Sequence, residues 1–505
     1  MRSPSHDHLL AFDLGTTGNK VVLIDAESGR VVETESSTYP TAHAPGGRVE
    51  QSPDDWWNST VRCCRAVADR NPEALARVAA IACTGMMNGI VAVDKAGQAL
   101  RPSIIHADTR STAQVKTLVD RVGAAEITRS TSNRPDCRLS LSKAMWLAEF
   151  EPETLARAAS IVQAKDYLAG RLTGRPGVTD PSDASLTGAF DVDRRVWLRE
   201  IWSEAGLPVR LLPEVVPSAQ VIGHVTAAAA SALGLRAGIP VVAGGGDGPC
   251  ATAGSGVGPG EGYHYLGSSS WIGLNAAAPI VDDRLSHYCS LDERVTVFGT
   301  VQAAGTSLEW FSTVFSGRST HADLDIDAAR VPPGANDLFF LPYLQGERAP
   351  LWDAAARGVF FGLTPSHGRA EMYRAVLEGV GYALRSILDV YAENGHPLPT
   401  LRQLGGGAKS DLWRSMLAAI FERKLLSVEG VSSATSLGAA MAAGVGAGMW
   451  PSIAEAGAHL TSIADETAPD TALVAAYQPR MAFYRTLYPV LKDRFEALSM
   501  LGDNG

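Results

Sequence analysis

The chain has 505 residues, 46% hydrophobic and 19% charged, with a formal net charge of −10. That length exceeds what one hydrophobic core organises and predicts two large domains. The apolar content excludes a disordered chain, and the acidic balance excludes a broad phosphate-tracking nucleic-acid surface. Cys63, Cys64, Cys83, Cys137, Cys250 and Cys289 form no C-x-x-C pair, which predicts free thiols in a reducing, cytoplasmic setting. The opening MRSPSHDHLLAFD carries no long apolar signal segment. The one long uncharged stretch, Val431 to Ala454, is mostly Ala, Gly and Ser. It lacks the dense Leu, Ile and Phe of a membrane span and predicts a buried helix packed through small residues.

In chain order, HLLAFDLGTTGNKVVLI (8–24) places two apolar runs around Gly15-Thr16-Thr17-Gly18, a hairpin pattern. Asp13 ends the first strand. The turn's amides, its two hydroxyls and Lys20 suit phosphate oxygens, and Asp13 is an oxygen ligand of the kind Mg²⁺ accepts. A plain hairpin with an exposed lysine is the alternative. The Walker pattern G-x-x-x-x-G-K-S/T is absent here. Ser52-Pro53-Asp54-Asp55 predicts a helix start, with Trp57, Val61, Cys64 and Ala68 on one face and the tryptophans in the core. The strand Val78–Cys83 ends in Thr84-Gly85-Met86-Met87-Asn88-Gly89, and a second polar loop carries His106, Asp108 and Arg110. Two such loops after strands converge on one crevice in α/β folds, so Asn88 and Asp108 are candidate partners for hydroxyls, or else turn residues. Lys143 and Trp146 lie on a helical pattern, and Asp180, Ser182, Asp183 and Ser185 crowd a loop, which predicts solvation or substrate contact.

IPVVAGGGDGPCATAGSG (239–256) is a buried strand, three glycines, one carboxylate and a run of small residues. Asp247 stands where open α/β sheets put their chemistry; capping of the next helix is the other reading. EGYHYLGSSSWIGL repeats the early pattern, with Gly267-Ser268-Ser269-Ser270 between two strands. Glu347 and Arg348, in a Pro-flanked loop, predict a structural or interdomain ion pair. Glu371 to Tyr391 predicts an amphipathic helix packed on a sheet. In LRQLGGGAKSDLW a strand meets Gly405-Gly406-Gly407 and Ser410 caps a helix, an arrangement that lets a flat or anionic ligand approach the backbone.

FDLGTTGNK, KDYLAGRLTG with SDAS, GGGDGPCA, LGSSSWIG, PYLQGERAPLWDAAARGVFFGLT and GGGAKSDLW together resemble the FGGY carbohydrate kinases nearly end to end. The resemblance implies an α/β fold of two actin- and hexokinase-like (ribonuclease H-like) domains around a central cleft. A sugar-binding domain would span 1–250 and an ATP-binding domain 251–505. It implies Asp247 as catalytic base, Asp13 and Asp247 near Mg²⁺, and Thr16, Thr17 and Lys20 as one phosphate turn. Gly267, Ser268 and Ser269 would form the other, and Gly406, Gly407, Ala408 and Ser410 the adenosine loop. Met87, Asn88, Asp108 and Asp247 would face the sugar. The expected reaction is ATP-dependent phosphorylation of a ketopentose such as xylulose. The alternatives are gluconate or a polyol as acceptor, and an actin-like ATPase without a sugar. Xylulose kinases carry Met-His where this chain has Met87-Asn88, and Asp-Asn where it has Asp247-Gly248. The expected partners are sugar and ATP, without nucleic acid or membrane, and a homodimer is compatible with this reading.

Overall fold

The computed structural model describes residues 7–315, 317, 319–429 and 433–502. These divide into two α/β units. The first takes the described residues up to Pro259 together with Asn275–Val297 and Ser433–Thr461. The second takes Gly260–Leu274, the stretch from Phe298 to Glu429, and that from Ser462 onward. A single cut at 250 therefore does not separate them.

In the first unit the expected hairpin forms from β1 (His8–Leu14) and β2 (Gly18–Asp25) and continues into β3 (Val31–Thr38). Three more strands follow: β4 (Val78–Gly85), β5 (Val221–His224) and β6 (Pro240–Gly246). The sheet order is β5-β6-β4-β1-β2-β3, with β6, β4 and β1 mutually parallel. Side chains alternate across each strand. Leu10, Phe12 and Leu14 enter one core cluster, Leu9 and Ala11 another. The first face is covered by α1 (Pro53–Arg70) and α3 (Ala164–Thr173), while α2 (Ser140–Phe150) belongs to a separate apolar cluster. In α1 the buried stripe is Trp56, Thr60, Cys63, Cys64 and Val67. It is rotated by about one residue from the expected face, so Trp57 is only half-buried, with the Arg171 guanidinium 4.8 Å over its ring. Helix α4 (Asp247–Gly254) follows β6 directly.

The second unit begins with β7 (Gly262–Leu266) and β8 (Ser270–Ala276), an antiparallel hairpin. Helices α5 (Gly305–Phe315) and α6 (Arg369–Glu393) follow. The second is buried on nearly every side from Tyr373 to Leu384, not along one stripe as expected. Next come β9 (Thr400–Leu404), parallel to β7; α7 (Asp411–Phe421); and β10 (Lys424–Val428), parallel to β9.

The chain then returns to the first unit with α8 (Ala434–Gly446), which covers the second face of the β1 sheet through Ala439 to Ala443. Small residues are what this packing demands. A Cβ on Gly438 would collide with the Cys250 carbonyl, and one on Gly254 with that of Ala434, so α4 and α8 touch backbone to backbone. Gly438→Ala is expected to destabilise the protein by about 1–3 kcal/mol or more, read as a lower midpoint of thermal unfolding. An unchanged midpoint would refute the close-contact account.

Last, β11 (Ile463–Thr467) pairs antiparallel with β10, and α9 (Thr471–Gly502) ends the described chain. Read outward from each hairpin, β2-β1-β4-β6-β5 and β8-β7-β9-β10-β11 have the same sequence of pairings: antiparallel, parallel, parallel, antiparallel. The two Gly–hydroxyl turns thus occupy equivalent places in two sheets of one design. All six cysteines are free thiols. Among the described residues no helix is long and apolar enough to cross a membrane.

Candidate active site

Strand register assembles the first half of the site. Asp13 lies opposite Thr84 and Leu14 opposite Gly85, and Gly85 lies opposite Gly246. Three parallel strands therefore end level. The hairpin turn, Met86–Asn88 and Asp247 follow them at one edge, the place where open α/β sheets bind ligands. The last step on β6 contains a bulge: Val242 faces Ala82, but Gly245 faces Thr84. Gly244 absorbs it at φ 73°, where a Cβ would strike the Cys83 carbonyl.

Asp247 opens α4. Gly246 is the cap position, and Asp247 Oδ1 accepts the neighbouring Gly248 N–H at 2.8 Å, so capping does not use up this carboxylate. Burial pushes its carboxyl up to about 7, and the charge of Asp13 adds to the rise. Burial likewise lifts Asp13 to about 6, against the pull of Lys20, its cross-strand neighbour, and of the Ser436 hydroxyl at 3.5 Å.

The first turn is held from behind by its carbonyls. Gly15 O accepts from the Tyr39 hydroxyl, Thr16 O from Gln51 Nε2 at 2.7 Å, and Thr17 O from the Tyr39 N–H at 3.4 Å. The fully buried Trp56 locks Gln51 by donating to its Oε1 at 3.0 Å. A planar trans peptide puts N–H opposite C=O, so the amides that follow these carbonyls face the other way, beside the exposed Thr16 and Thr17. That is the concave donor array an anion requires. Tyr39, Gln51 and Trp56 carried no local signature of this role.

Among the residues expected to face a sugar, Met87 is buried against Gly246. Asn88 sits at φ 64° and keeps Oδ1 buried without a partner among the described residues. Its carbonyl accepts from Lys143 Nζ on α2 at 2.8 Å. Burial holds that ammonium down to about 7, against the opposing charges of Asp108 and Asp136. Asp108 follows the turn-residue alternative. It is fully buried, bound to the Arg110 guanidinium at 2.6–3.0 Å and to the Val49 N–H at 2.6 Å, so it pins its own loop instead of offering a free acceptor. The crowd at 180–185 is not solvated either. Asp180, Ser182 and Asp183 are buried around Lys165, which meets Asp166 at 2.5 Å, Asp180 at 2.9 Å and Asp183 at 3.7 Å. Ser182 Oγ accepts the Gly246 N–H at 3.1 Å, which ties this cluster to the strand end before Asp247.

The second unit holds the other half of the expected residues. Gly267 N–H donates to Ser269 O at 3.0 Å and closes the β7–β8 turn. Its carbonyls are also anchored: Gly267 O accepts from Gly305 N–H, and Ser268 O from Ala304 and Thr306 N–H, each at 3.0 Å. Gly267, Ser268, Gly406, Gly407 and Ser410 line one cavity of ≈ 440 Å³ with Leu308, Tyr373 and Trp413. Ser410 caps α7 by accepting the Trp413 N–H at 3.2 Å and donates to Asp325 at 2.7 Å. Ala408 falls in the single 3-10 turn Gly406–Lys409. Ser269 closes the turn but is not among the cavity's lining residues.

Among the described residues no group of three or more His, Cys, Asp or Glu side chains forms a metal cage. Asp13 and Asp247 supply two hard oxygen donors whose charges feel one another. Mg²⁺ characteristically takes one or two carboxylates and completes its shell with water and phosphate, so this pair fits that ion.

Residues 8–254 match the N-terminal domain model of the FGGY family of carbohydrate kinases, and residues 262–447 match its C-terminal domain model. The chain belongs to the FGGY family of carbohydrate kinases. As an FGGY kinase it is a sugar-phosphorylating enzyme that uses ATP with Mg²⁺. It is similar to the xylulose kinase of Escherichia coli (strain K12), 34% identical over 488 residues that cover 95% of this chain and 99% of that one. It is also similar to the gluconokinase of Bacillus subtilis (strain 168), 31% identical over 440 residues covering 84% and 85%. The crystal structure of xylulose kinase from Rhodospirillum rubrum matches with a TM-score of 0.89 at 28% identity, over 97% of this chain and all of that one.

Proposed function

We propose that this FGGY kinase transfers the γ-phosphoryl group of MgATP to a hydroxyl of a ketopentose, xylulose first among them, with Asp247 as the general base. The observation that carries the reading is the pair of desolvated carboxylates at level strand ends, Asp13 and Asp247, each held near neutrality by burial. A carboxyl near 7 suits a general base, being ionised enough to accept a hydroxyl proton and basic enough to hold it. Asp247 accepts that proton as the oxygen becomes nucleophilic. Lys20 and the outward amides of the first turn offer donors to phosphate oxygens, and within the second unit the turn at Gly267–Ser268 offers another such set. The second-unit cavity, walled by Leu308, Tyr373 and Trp413, takes the adenosine. Asp13 and Asp247 would hold Mg²⁺, which supplies charge neutralisation on the phosphate oxygens when bound. Full-length similarity to xylulose kinases supports the acceptor.

A second acceptor, gluconate, is supported by the similarity to a gluconokinase, and two positions weigh against xylulose. Asn88 stands where xylulose kinases carry histidine, and Gly248 where they carry asparagine. A Cβ at 248 would lie 3.2 Å from the Tyr288 ring, so an aromatic wall stands where xylulose kinases carry a side chain. ADP release across D-xylulose, other ketopentoses, gluconate and polyols tests the proposal. The highest kcat/KM is expected for xylulose. A preference for gluconate would overturn the acceptor, and equal ATP turnover without any sugar would overturn the transferase reading.

A further inference from the structure

Glu347 is a buried acid that the reaction does not consume. It is 5% exposed. Its Oε1 accepts two backbone amides, Gln302 N–H at 2.8 Å and Arg348 N–H at 2.7 Å. Its Oε2 is buried and has no hydrogen-bond partner among the described residues. The loop itself is tied down, with Glu347 and Asp353 exchanging both backbone hydrogen bonds at 2.8 and 3.0 Å. The reach to Gln302 is therefore from a fixed base to a point forty-five positions away in sequence.

Gln302 stands just before the segment that grips the second turn. Ala304, Gly305 and Thr306 give three successive N–H groups to the carbonyls of Gly267 and Ser268, each at 3.0 Å. A Cβ on Gly305 would lie 2.6 Å from Gly267 O, so helix start and turn are in van der Waals contact. Small displacements of Gln302 therefore reach the turn through a short, stiff stretch of backbone. All of these residues belong to the second unit.

We propose that Glu347 is a positioning residue for the nucleotide: by holding the Gln302 amide it fixes the start of α5, and through it the outward aim of the Gly267–Ser268 turn. The inference rests on the reading of that turn as a phosphate grip. The side chain acts as a neutral acid. Burial pushes its carboxyl up to about 8, with the Gln302 and Arg348 amides and the Arg348 charge opposing the rise. The other titratable groups that feel it are Tyr343 and Tyr484, whose hydroxyls meet at 3.1 Å. Above that pH the carboxyl ionises, and the Gln302 and Arg348 amides, which favour the anion, grip it more firmly. Glutamine reproduces the neutral acid in size and acceptor, and cannot ionise.

The test compares wild type, Glu347→Gln and Glu347→Ala in the full chain, with KM for ATP and for sugar measured from pH 6.5 to 9.5, and MgATP binding measured by calorimetry. Glu347→Ala is expected to raise the ATP KM about five- to tenfold, the effect of one lost buried hydrogen bond, with the sugar KM unchanged. Glu347→Gln is expected to keep the wild-type ATP KM at pH 7. In wild type the ATP KM should fall above pH 8 as the anion tightens its hold on Gln302, and in Glu347→Gln it should stay flat. The same pH trend in both, a climb in wild type, or equal rises in the two KM values after Glu347→Ala would overturn the proposal. If Glu347→Ala does not fold, the pH comparison of wild type with Glu347→Gln decides alone. Absence of MgATP binding by wild type would overturn the phosphate-grip reading itself, and is distinguishable from a wild type that binds beside variants that bind equally well.

Discussion

Replacing Asp247 by Asn is expected to remove turnover while leaving ATP binding nearly intact. Loss of a positioned general base lowers kcat by about 10²- to 10⁴-fold. The change is nearly isosteric, and Asn Oδ1 retains the acceptor for the Gly248 N–H at 2.8 Å, so the start of α4 is not disturbed. Direction in pH follows from the carboxyl's position. Asp247 works when ionised, and burial with the charge of Asp13 pushes it up to about 7. Wild-type kcat/KM should therefore fall as pH drops through that region, and bound Mg²⁺ should shift the limb downward. Asp13→Asn deletes a neighbouring negative charge, so it should move the limb to lower pH in whatever activity remains. A coupled ADP assay measures the first quantity and calorimetry the second. An Asp247→Asn enzyme that phosphorylates sugar at the wild-type rate would sink the assignment.

Lys165→Met should be among the most destabilising substitutions in the first unit. Lys165 is wholly buried and serves Asp166, Asp180 and Asp183 at once. Burial alone would lower its affinity for a proton, but the three acidic groups together raise it, so the ammonium is firmly charged. Removing one partner from a buried charge cluster costs about 3–5 kcal/mol, because the remaining charges have no water to turn to. Asp183 is the exception within the cluster. Burial first, then the charges of Asp166, Asp180 and Asp247, drive its carboxyl well up, and neither oxygen has a hydrogen-bond partner among the described residues. Its proton affinity is driven up, so Asp183→Asn should cost less than Lys165→Met. Thermal or urea unfolding of the two variants side by side checks this. Equal effects, or a harmless Lys165→Met, would contradict the account. Because Ser182 holds the Gly246 N–H, a folded Lys165→Met protein should also lose kcat.

The candidate residues stood out where a strand ran directly into glycine. Asp13, Thr16, Thr17 and Asp247 follow apolar runs, and alternate side chains of those runs feed opposite core faces as period two requires. Ser410 was legible as a cap from its position before an apolar helix. What failed or stayed open did so for tertiary reasons. Asp108 stayed open between hydroxyl partner and turn residue because nothing local shows that Arg110, two positions on, is buried and lies 4.7 Å over the Trp146 ring. The acids at 180 and 183 read as solvated because their counter-ion comes from α3. In α1 either Trp56 or Trp57 satisfies a helical stripe, and only the packed sheet selects the first. The carbonyl braces of the first turn come from Tyr39 and Gln51, residues whose types carry no positional signal.

Helix α8 has a consequence for how the molecule is made. The face of the β1 sheet bearing Leu9, Ala11, Val22, Ala80, Ala82 and Val242 is roofed by residues from Leu437 to Ala443. During translation that greasy surface has no cover until most of the chain has left the ribosome. A fragment ending near 250 would carry every expected sugar contact and yet present an open apolar floor, inviting aggregation or chaperone capture. Co-expressing the 433–461 stretch with such a fragment would supply the missing roof.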